Sequence, residues 1–215
     1  MSEPAGSYRS HRFEPDGKFV ACLSGQDDKL QRTRSLMNRR LFSVAGVVVA
    51  LALFRSPLMH AQTPASLTVT SSAFQSGAAI PSKYSCEGTN VSPPLSWTKA
   101  PAAAKSLALI CEDPDAPAGT WTHWVLFDLP AATTELGEKA TPPSGAKQGT
   151  NDFQKTGYGG PCPPPGKPHR YFFKVYALDA ELALKAGATR KDLLHAMEHH
   201  IIAEGELMGT YQRKK

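Results

Sequence analysis

The chain has 215 residues, with 24 Lys and Arg against 19 Asp and Glu, and a formal net charge of +5. Most of that excess lies at the N-terminus, because residues 1–61 hold nine basic and five acidic side chains. Residues 62–215 are close to neutral and carry no basic stripe with interleaved aromatic residues, which excludes a nucleic-acid-binding surface. A segment of this length suits one domain with a single core.

The N-terminal segment, residues 1–61, is predicted to lie outside that domain. Residues 1–36 are polar and have no sustained apolar period, so they cannot bury a core. We interpret them as a disordered extension, or as a misassigned start with Met37 as the true initiator. The predicted single domain spans residues 62–215.

Residues 37–61 have the pattern of a secretory signal peptide. Arg39 and Arg40 precede an almost unbroken apolar run over residues 41–54, and residues 59–61 offer a cleavage site. A permanent membrane helix needs roughly 20 residues, so this shorter run predicts export rather than a span that remains after cleavage. An uncleaved anchor is the alternative, because Met59 is a poor small residue at the −3 position. The sequence thus predicts a periplasmic or secreted protein.

The exported segment is predicted to be mainly β. Strand patterns cover residues 66–70, 106–111, 122–129, 171–178 and 207–211. Two helical patterns follow late, one over 179–185 and one from Thr189 to Gly205, where Thr189 and Asp192 form a capping box and Ile201 falls on the apolar face. This order predicts an antiparallel two-sheet sandwich with two short C-terminal helices.

Three cysteines remain after the predicted cleavage site, an odd number for an oxidising compartment. Cys111 ends an apolar strand and is expected to stay a buried thiol, since free cysteine packs as a small hydrophobe. Cys86 and Cys162 lie in loops rich in Gly and Pro, and they are the pair that we expect to be bridged.

Two loops at strand ends carry residues suited to a binding site. Residues 113–117 read Asp-Pro-Asp-Ala-Pro, where the prolines restrict the backbone, and His123 follows at the start of a strand. Residues 157–168 are rich in Gly and Pro, and His169 begins the next strand. Two imidazoles, two carboxylates and exposed backbone amides can form one polar cavity for an anion, although plain turns use the same residue types.

Four separated motifs give the chain a family resemblance. They are Asp113 to Pro117, Thr122-His123-Trp124, Gly160-Pro161 with His169-Arg170-Tyr171, and Asn90 to Trp97. Together they resemble the phosphatidylethanolamine-binding protein family, and within it the bacterial branch called Raf kinase inhibitor-like. The match runs from about Ser71 to Arg213.

The resemblance implies a large antiparallel sheet packed on a smaller one, and a small surface pocket that binds phosphate or phosphorylethanolamine-like ions. It implies that Asp113, Asp115, His123 and His169 line this pocket, that Gly160 supplies backbone contact and that Tyr171 lies close by. The chain stops soon after Tyr211, so the C-terminal segment that borders the pocket in some eukaryotic relatives is expected to be short or missing. A role in kinase regulation is not carried over to an exported protein.

We therefore expect an exported binding protein for phosphate or phospholipid head-group-like ligands, with Asp113 and Asp115 holding protons on the two histidines. Phosphate binding is then expected to weaken above about pH 7. The alternative is an interaction or inhibitor module that uses the pocket rim against a protease or another protein partner. A hydrolase is less favoured, because Asp and His occur without an evident nucleophile, and no catalytic residue or cofactor is predicted. A homodimer stays among the expected partners.

A zinc motif is also weighed. His195, Glu198 and His199 match the H-x-x-E-H pattern of inverted zinc peptidases. The chain ends at Lys215, and the short segment after His199 offers poor candidates for a further ligand. The core-facing Met197 also predicts that both histidines point to solvent, so no metal site is predicted.

Overall fold

The computed structural model describes residues 64–214, and the extension and signal peptide predicted for residues 1–61 lie outside this range. In chain order the elements are β1 (Ala65–Ser66), β2 (Val69–Thr70), a 3-10 helix (Ser82–Tyr84), β3 (Leu95–Trp97), β4 (Ser106–Asp113), β5 (Trp121–Pro130), β6 (Glu135–Leu136), β7 (Lys147–Gln148), β8 (His169–Leu178), α1 (Arg190–Met197) and β9 (Ile201–Tyr211). Within these residues, no helix is long and apolar enough to cross a membrane.

The strands form two sheets, as predicted. The larger sheet has six strands in the order β1-β9-β8-β4-β5-β7, and the smaller has three in the order β2-β3-β6. Neighbouring strands are antiparallel except for β1, which pairs in parallel with β9 at one edge of the larger sheet.

The larger sheet is covered on both faces, which explains the continuous apolar run of β4. Leu107, Leu109 and Cys111 point into the core between the two sheets, whereas Ala108 and Ile110 point to a second core that also contains α1 residues. Side chains alternate between faces along a strand, so a strand buried on both faces needs apolar residues at every position. All eight residues of β4 are buried.

The prediction of two C-terminal helices is wrong in detail. The helix α1 begins as predicted, with a capping box between Thr189 and Asp192, but it ends at Met197 instead of Gly205. Ile201 belongs to β9, which pairs with β8 along its length. The ladder satisfies the backbone of this segment, and β-branched residues suit a strand better than a helix.

The helix predicted over 179–185 is replaced by an irregular segment. Its backbone is bonded to the neighbouring strand region instead of to itself. The Leu182 N–H donates to Asp128 Oδ1 at 2.8 Å, and the Leu184 carbonyl accepts from Lys147 Nζ at 3.0 Å. These tertiary contacts outweigh the local helical preference, which is only a weak prior.

A buried carboxylate ties α1 to the sheet. Glu112 on β4 is 5% exposed and accepts hydrogen bonds from Lys174 on β8 and from Arg190 at the start of α1. A buried charge is tolerated when it is paired in this way, and removal of one partner is expected to be costly. Glu112 therefore fixes the strand end that carries Asp113.

Candidate functional site

Three strand ends meet at one edge of the larger sheet. β4 ends at Asp113, β5 begins opposite it at Trp121, and β8 begins nearby at His169. The β4–β5 pairing shifts register between Cys111 and Glu112, directly before Asp113. Such irregularities re-aim side chains at strand ends, which suits a site built there.

Asp113 shapes the turn and orients one imidazole at the same time. Its carboxylate is 3% exposed. Oδ1 accepts from the Asp115 backbone N–H at 2.8 Å, and Oδ2 accepts from His169 Nδ1–H at 2.8 Å. The second bond leaves the Nε2 atom of His169 for a ligand.

His123 is held by the backbone of residues 157–160, Gly-Tyr-Gly-Gly, which we call the glycine loop. Its Nδ1–H donates to the Gly159 carbonyl at 2.7 Å, and the Gly159 N–H donates to the His123 carbonyl at 2.8 Å. The ring stands edge-on to Phe153 and Tyr171, with centroids 5.3 and 5.1 Å away. Its Nε2 atom is thus the nitrogen left for a ligand.

Burial changes the protonation of His123. The residue is 2% exposed, and loss of solvent lowers its pKa from the usual value of 6.5. Hydrogen bonds to the backbone of Gly159 and Gly160 and the charge of Asp113 act in the opposite direction without cancelling this effect. The charged form of His123 therefore belongs to lower pH than that of a solvated histidine.

Tyr171 is fully buried and packs against His123. Burial raises its pKa, and the charge of Asp113 raises it further, so the phenol stays neutral. In the part of the chain that the structure describes, its hydroxyl is the buried side-chain polar atom without a well-formed hydrogen bond. Tyr171 lines neither cavity described below, so the structure does not bring it into contact with a ligand there.

The two imidazoles and Asp113 open onto one cavity of about 190 Å³. We call it the histidine cavity. Its wall is mostly apolar, so hydrogen bonds made inside it are stronger than in water. The lining residues are Asp113, Ala116, Pro117, Trp121, His123, Phe153, Cys162, Pro163, Pro164 and His169.

A second cavity of about 270 Å³ lies beside the first and shares Phe153 and Cys162 with it. We call it the glycine-loop cavity. Gly160, which the resemblance assigned to the histidine site, lines this second cavity instead. The other lining residues are Cys86, Asn90, Asn151, Lys155, Tyr158 and Gly159.

The glycine loop needs its small residues because other backbone comes close. A Cβ on Gly160 would lie 2.2 Å from the Tyr84 carbonyl oxygen and 2.6 Å from Asn90 Oδ1, which accepts from the Gly160 N–H at 2.7 Å. A Cβ on Gly159 would lie 2.7 Å from the Phe153 ring. Real Cβ atoms do not approach so closely, so only glycine fits without displacing its neighbours.

A disulfide closes the same region. Cys86 and Cys162 are joined, with sulfur atoms 2.09 Å apart, and Cys111 is a buried free thiol. Burial raises the pKa of the Cys111 thiol, so its reactive thiolate is scarce. The bridge links the segment after the 3-10 helix to the wall shared by the two cavities.

The expectation that Asp115 holds a proton on a histidine is wrong, because Asp115 is bonded to Arg170 instead. Its carboxylate accepts from the Arg170 backbone N–H and makes a two-pronged contact with the Arg170 guanidinium, at 2.7 to 2.9 Å. These bonds lower the pKa of Asp115 to about 2. Asp115 is absent from the residues that line the histidine cavity and acts at its rim, by fixing the start of β8.

Phe153 and Trp121 were missed by the sequence reasoning. Phe153 sits in a turn between two loops, where no apolar period marks it. The neighbouring Asn151 and Asp152 signal the turn, because short polar side chains bond to nearby backbone, but they do not reveal which cavity the aromatic ring faces.

The zinc motif falls on the surface. The helix ends at Met197, and His199 has a positive φ of 67°, so His195 and His199 do not share one helical face. Their side chains are 86% and 90% exposed, whereas Met197 is buried. Residues 64–214 contain no group of three or more His, Cys, Asp or Glu side chains placed to hold a metal.

Comparison with known proteins identifies the family. The phosphatidylethanolamine-binding protein family model matches residues 70–212, which cover all the strands from β3 to β9 and both cavities. The chain belongs to the phosphatidylethanolamine-binding protein family. This confirms the family resemblance, and family membership makes the chain a ligand-binding protein in general terms.

Relatives come from archaea and bacteria. A UPF0098 protein of Methanothermobacter thermautotrophicus is 53% identical over 145 residues, which cover 66% of this chain and 95% of the relative. A UPF0098 protein of Aquifex aeolicus is 44% identical over 183 residues, or 83% of this chain and 96% of the relative.

Solved structures of the family share the fold. A phosphatidylethanolamine-binding protein homologue from Chlamydia trachomatis has a TM-score of 0.66 and 46% identity, covering 71% of this chain and all of the other. YbcL of Escherichia coli, described as a member of the mammalian family, has a TM-score of 0.65 and 36% identity, covering 69% of this chain and 99% of the other. The predicted β-rich architecture is thereby confirmed.

Proposed function

We propose that the protein is an exported receptor for a small anion, either free phosphate or the phosphate of a lipid head group, bound in the histidine cavity. One observation carries the proposal. Two buried imidazoles, on His123 and His169, line the same small cavity with Nδ1 already bonded to protein, so each has Nε2 left for a ligand. Imidazole N–H groups are strong donors to phosphate oxygens when charged.

The carboxylate beside the site must be reconciled with an anion. Asp113 lies against His169, and a proton shared in that pair offsets the repulsion between the carboxylate and phosphate. Tyr171 supports the site from the core side, where its ring packs edge-on against His123. In a wall that excludes water, the imidazole donors discriminate sharply between an oxyanion and a neutral molecule.

Export is supported by the predicted signal peptide and by the disulfide. The bridge between Cys86 and Cys162 suits an oxidising compartment, where such bonds persist. Expression of the full chain in a Gram-negative host tests this step. We expect a periplasmic product that begins near residue 62 by mass spectrometry, whereas a cytoplasmic product with an intact N-terminus contradicts export.

Calorimetric titration tests the ligand. The protein is titrated with inorganic phosphate, with phosphorylethanolamine and with vesicles that contain phosphatidylethanolamine. Binding of the two soluble compounds supports the anion site, and binding of vesicles alone assigns the phosphate to a lipid surface. If none of the three binds, the proposal is wrong.

The chain offers a matched control for this titration. His200 makes the same kind of contact as His169, with Nδ1 2.8 Å from Asp179 Oδ1, but both partners are about half exposed and neither lines the histidine cavity. We expect His169→Ala to weaken phosphate binding at least tenfold and His200→Ala to leave it unchanged. Equal effects of the two substitutions contradict the assignment.

A further inference from the structure

We propose that the glycine-loop cavity holds the organic part of the ligand, so that the preferred ligands are phosphate monoesters of a flat apolar group. This inference rests on the proposed anion site. The two cavities share Phe153 and Cys162 as wall residues and therefore lie side by side, which lets one ligand reach both. The ligand class follows from the size and chemistry of this second cavity.

The glycine-loop cavity is large enough for a ring. Its volume is about 270 Å³. An apolar cavity of about 150 Å³ binds benzene, so one aromatic ring fits with room for a substituent. The histidine cavity, of about 190 Å³, is assigned to the phosphate by its two imidazoles and not by its size.

Part of the wall of the second cavity is apolar and available for contact with a ligand. Phe153, Tyr158 and the Cys86–Cys162 bridge supply ring and sulfur surface. Among the polar groups, Asn90 Oδ1 accepts from the Gly160 N–H and the Tyr158 hydroxyl donates to the Tyr84 carbonyl. The side chain of Asn151 donates to the Gly157 carbonyl and accepts from two backbone N–H groups. An apolar ring can therefore lie against Phe153 and Tyr158 without breaking these hydrogen bonds.

Phe153 is held in place before any ligand arrives. Asn151 Oδ1 accepts from the Phe153 N–H at 3.0 Å and from the Lys155 N–H at 3.1 Å, which fixes the turn. The ring packs on the bare α-carbon of Gly159 and stands edge-on to Trp121 with centroids 5.5 Å apart. A preformed aromatic wall costs little entropy on binding and favours a flat partner.

Lys155 suggests an alternative occupant of this cavity, a second phosphate group. Of the nine residues that line this cavity, all within the described part of the chain, Lys155 is the charged one, and it is exposed. A second phosphate would meet this one flexible cation and no built set of donors. The apolar group is thus the better match, and diphosphate serves as the comparison ligand.

The test is calorimetric titration with inorganic phosphate, phenyl phosphate and diphosphate. We expect phenyl phosphate to bind at least tenfold more tightly than inorganic phosphate. Tyr158→Ala, which removes a wall of the second cavity and none of the first, is expected to reduce this preference below threefold with inorganic phosphate affinity retained. Tyr158→Phe keeps the ring and is expected to keep the preference.

The outcomes separate this inference from the anion site. If phosphate binds and phenyl phosphate is no tighter, or diphosphate is the tightest, the second cavity is wrongly assigned while the anion site stands. If neither phosphate nor phenyl phosphate binds, both proposals fail. Because Tyr158→Ala can destabilise the fold, a crystal structure of the unaltered protein with phenyl phosphate gives a second reading. The ring between Phe153 and Tyr158 supports the inference, and a ring in solvent overturns it.

Discussion

The imidazole of His169 lies against the carboxylate of Asp113, with Nδ1 2.8 Å from Oδ2, although the two residues are 56 positions apart in the chain. β4 and β8 are paired neighbours in the larger sheet, and this pairing brings the two side chains together. The carboxylate orients the imidazole, and its own charge opposes an incoming anion. Which of these effects is larger can be measured.

Asp113→Ala is expected to weaken phosphate binding about tenfold, or roughly 1.4 kcal/mol. The change removes the acceptor that orients the His169 ring, and a ring without it must be ordered at the expense of binding energy. Calorimetric titration at pH 7 provides the measurement. Asp113→Asn is the control, since its amide oxygen can still accept from Nδ1–H, and we expect a loss of less than about threefold.

Tighter phosphate binding by Asp113→Ala would contradict this order of effects. It would show that repulsion by the carboxylate outweighs its orienting role. The melting temperature of each variant is measured in parallel, because Asp113 is buried and its loss also affects the turn to Asp115.

The pH dependence of anion binding is expected to follow His123. Its lowered pKa makes the ring neutral at pH 7 and above, where Nε2 carries no proton to donate. As the pH falls below about 6.5, protonation adds a donor and a positive charge, so binding strengthens. Sulfate is the probe, because its charge is constant in this range. We expect its affinity to be flat from pH 8 to 7 and to rise towards pH 5.

His123→Gln provides the control for that titration. Glutamine does not titrate, so the contribution of this position to the rise below pH 6.5 is lost. A rise of equal size in the variant would place the responsible proton on another group. This window lies lower than the one expected from an ordinary histidine pKa, because burial disfavours the charged ring.

Reduction of the disulfide is expected to lower the free energy of unfolding by about 2–4 kcal/mol. Cys86 and Cys162 are 76 residues apart, so the bridge restricts a long loop in the unfolded chain. Urea titration with and without a reductant measures the change. The Cys86→Ser/Cys162→Ser double variant is expected to match the reduced protein and to show no further response. An unchanged midpoint on reduction contradicts a structural role for the bridge.

Gly160→Ala is expected to lower the free energy of unfolding by about 1–3 kcal/mol, because the added methyl group overlaps fixed backbone. The nearest atom, the Tyr84 carbonyl oxygen, would lie 2.2 Å away. Gly137→Ala is the matched control, since no atom lies within 4 Å of a Cβ at that position. We expect its effect to stay within about 0.5 kcal/mol. Similar urea midpoints for both variants would contradict the close approach.

The central strands could be predicted because their residues are strongly apolar or aromatic. Residues 106–111 and 171–178 are long apolar or aromatic runs, and they form the centre of the larger sheet. The end of α1 was not predictable, because Ile201 fits the apolar face of a helix as well as it fits a strand. Pairing with β8, a partner far away in the sequence, decides between them.

The same limit applies to the site. The Asp113, His123 and His169 positions could be chosen because prolines and strand starts surround them. The partner of Asp115 could not be predicted. His169 and Arg170 are adjacent in sequence, and either side chain could have bonded to that carboxylate. The β4–β8 ladder ends with Glu112 opposite Phe172, and the conformation of the turn beyond it places Arg170 beside Asp115 and His169 beside Asp113.

The complete burial of Cys111 also limits which disulfides the chain can form. Cys86, Cys111 and Cys162 allow three different pairings in the unfolded chain, and one of these is the bridge seen in the fold. Once β4 is packed in the core, Cys111 is inaccessible to oxidants. Cys86 and Cys162 are then the two cysteines close enough to be joined. Formation of the core before oxidation would therefore leave Cys86–Cys162 as the accessible pair.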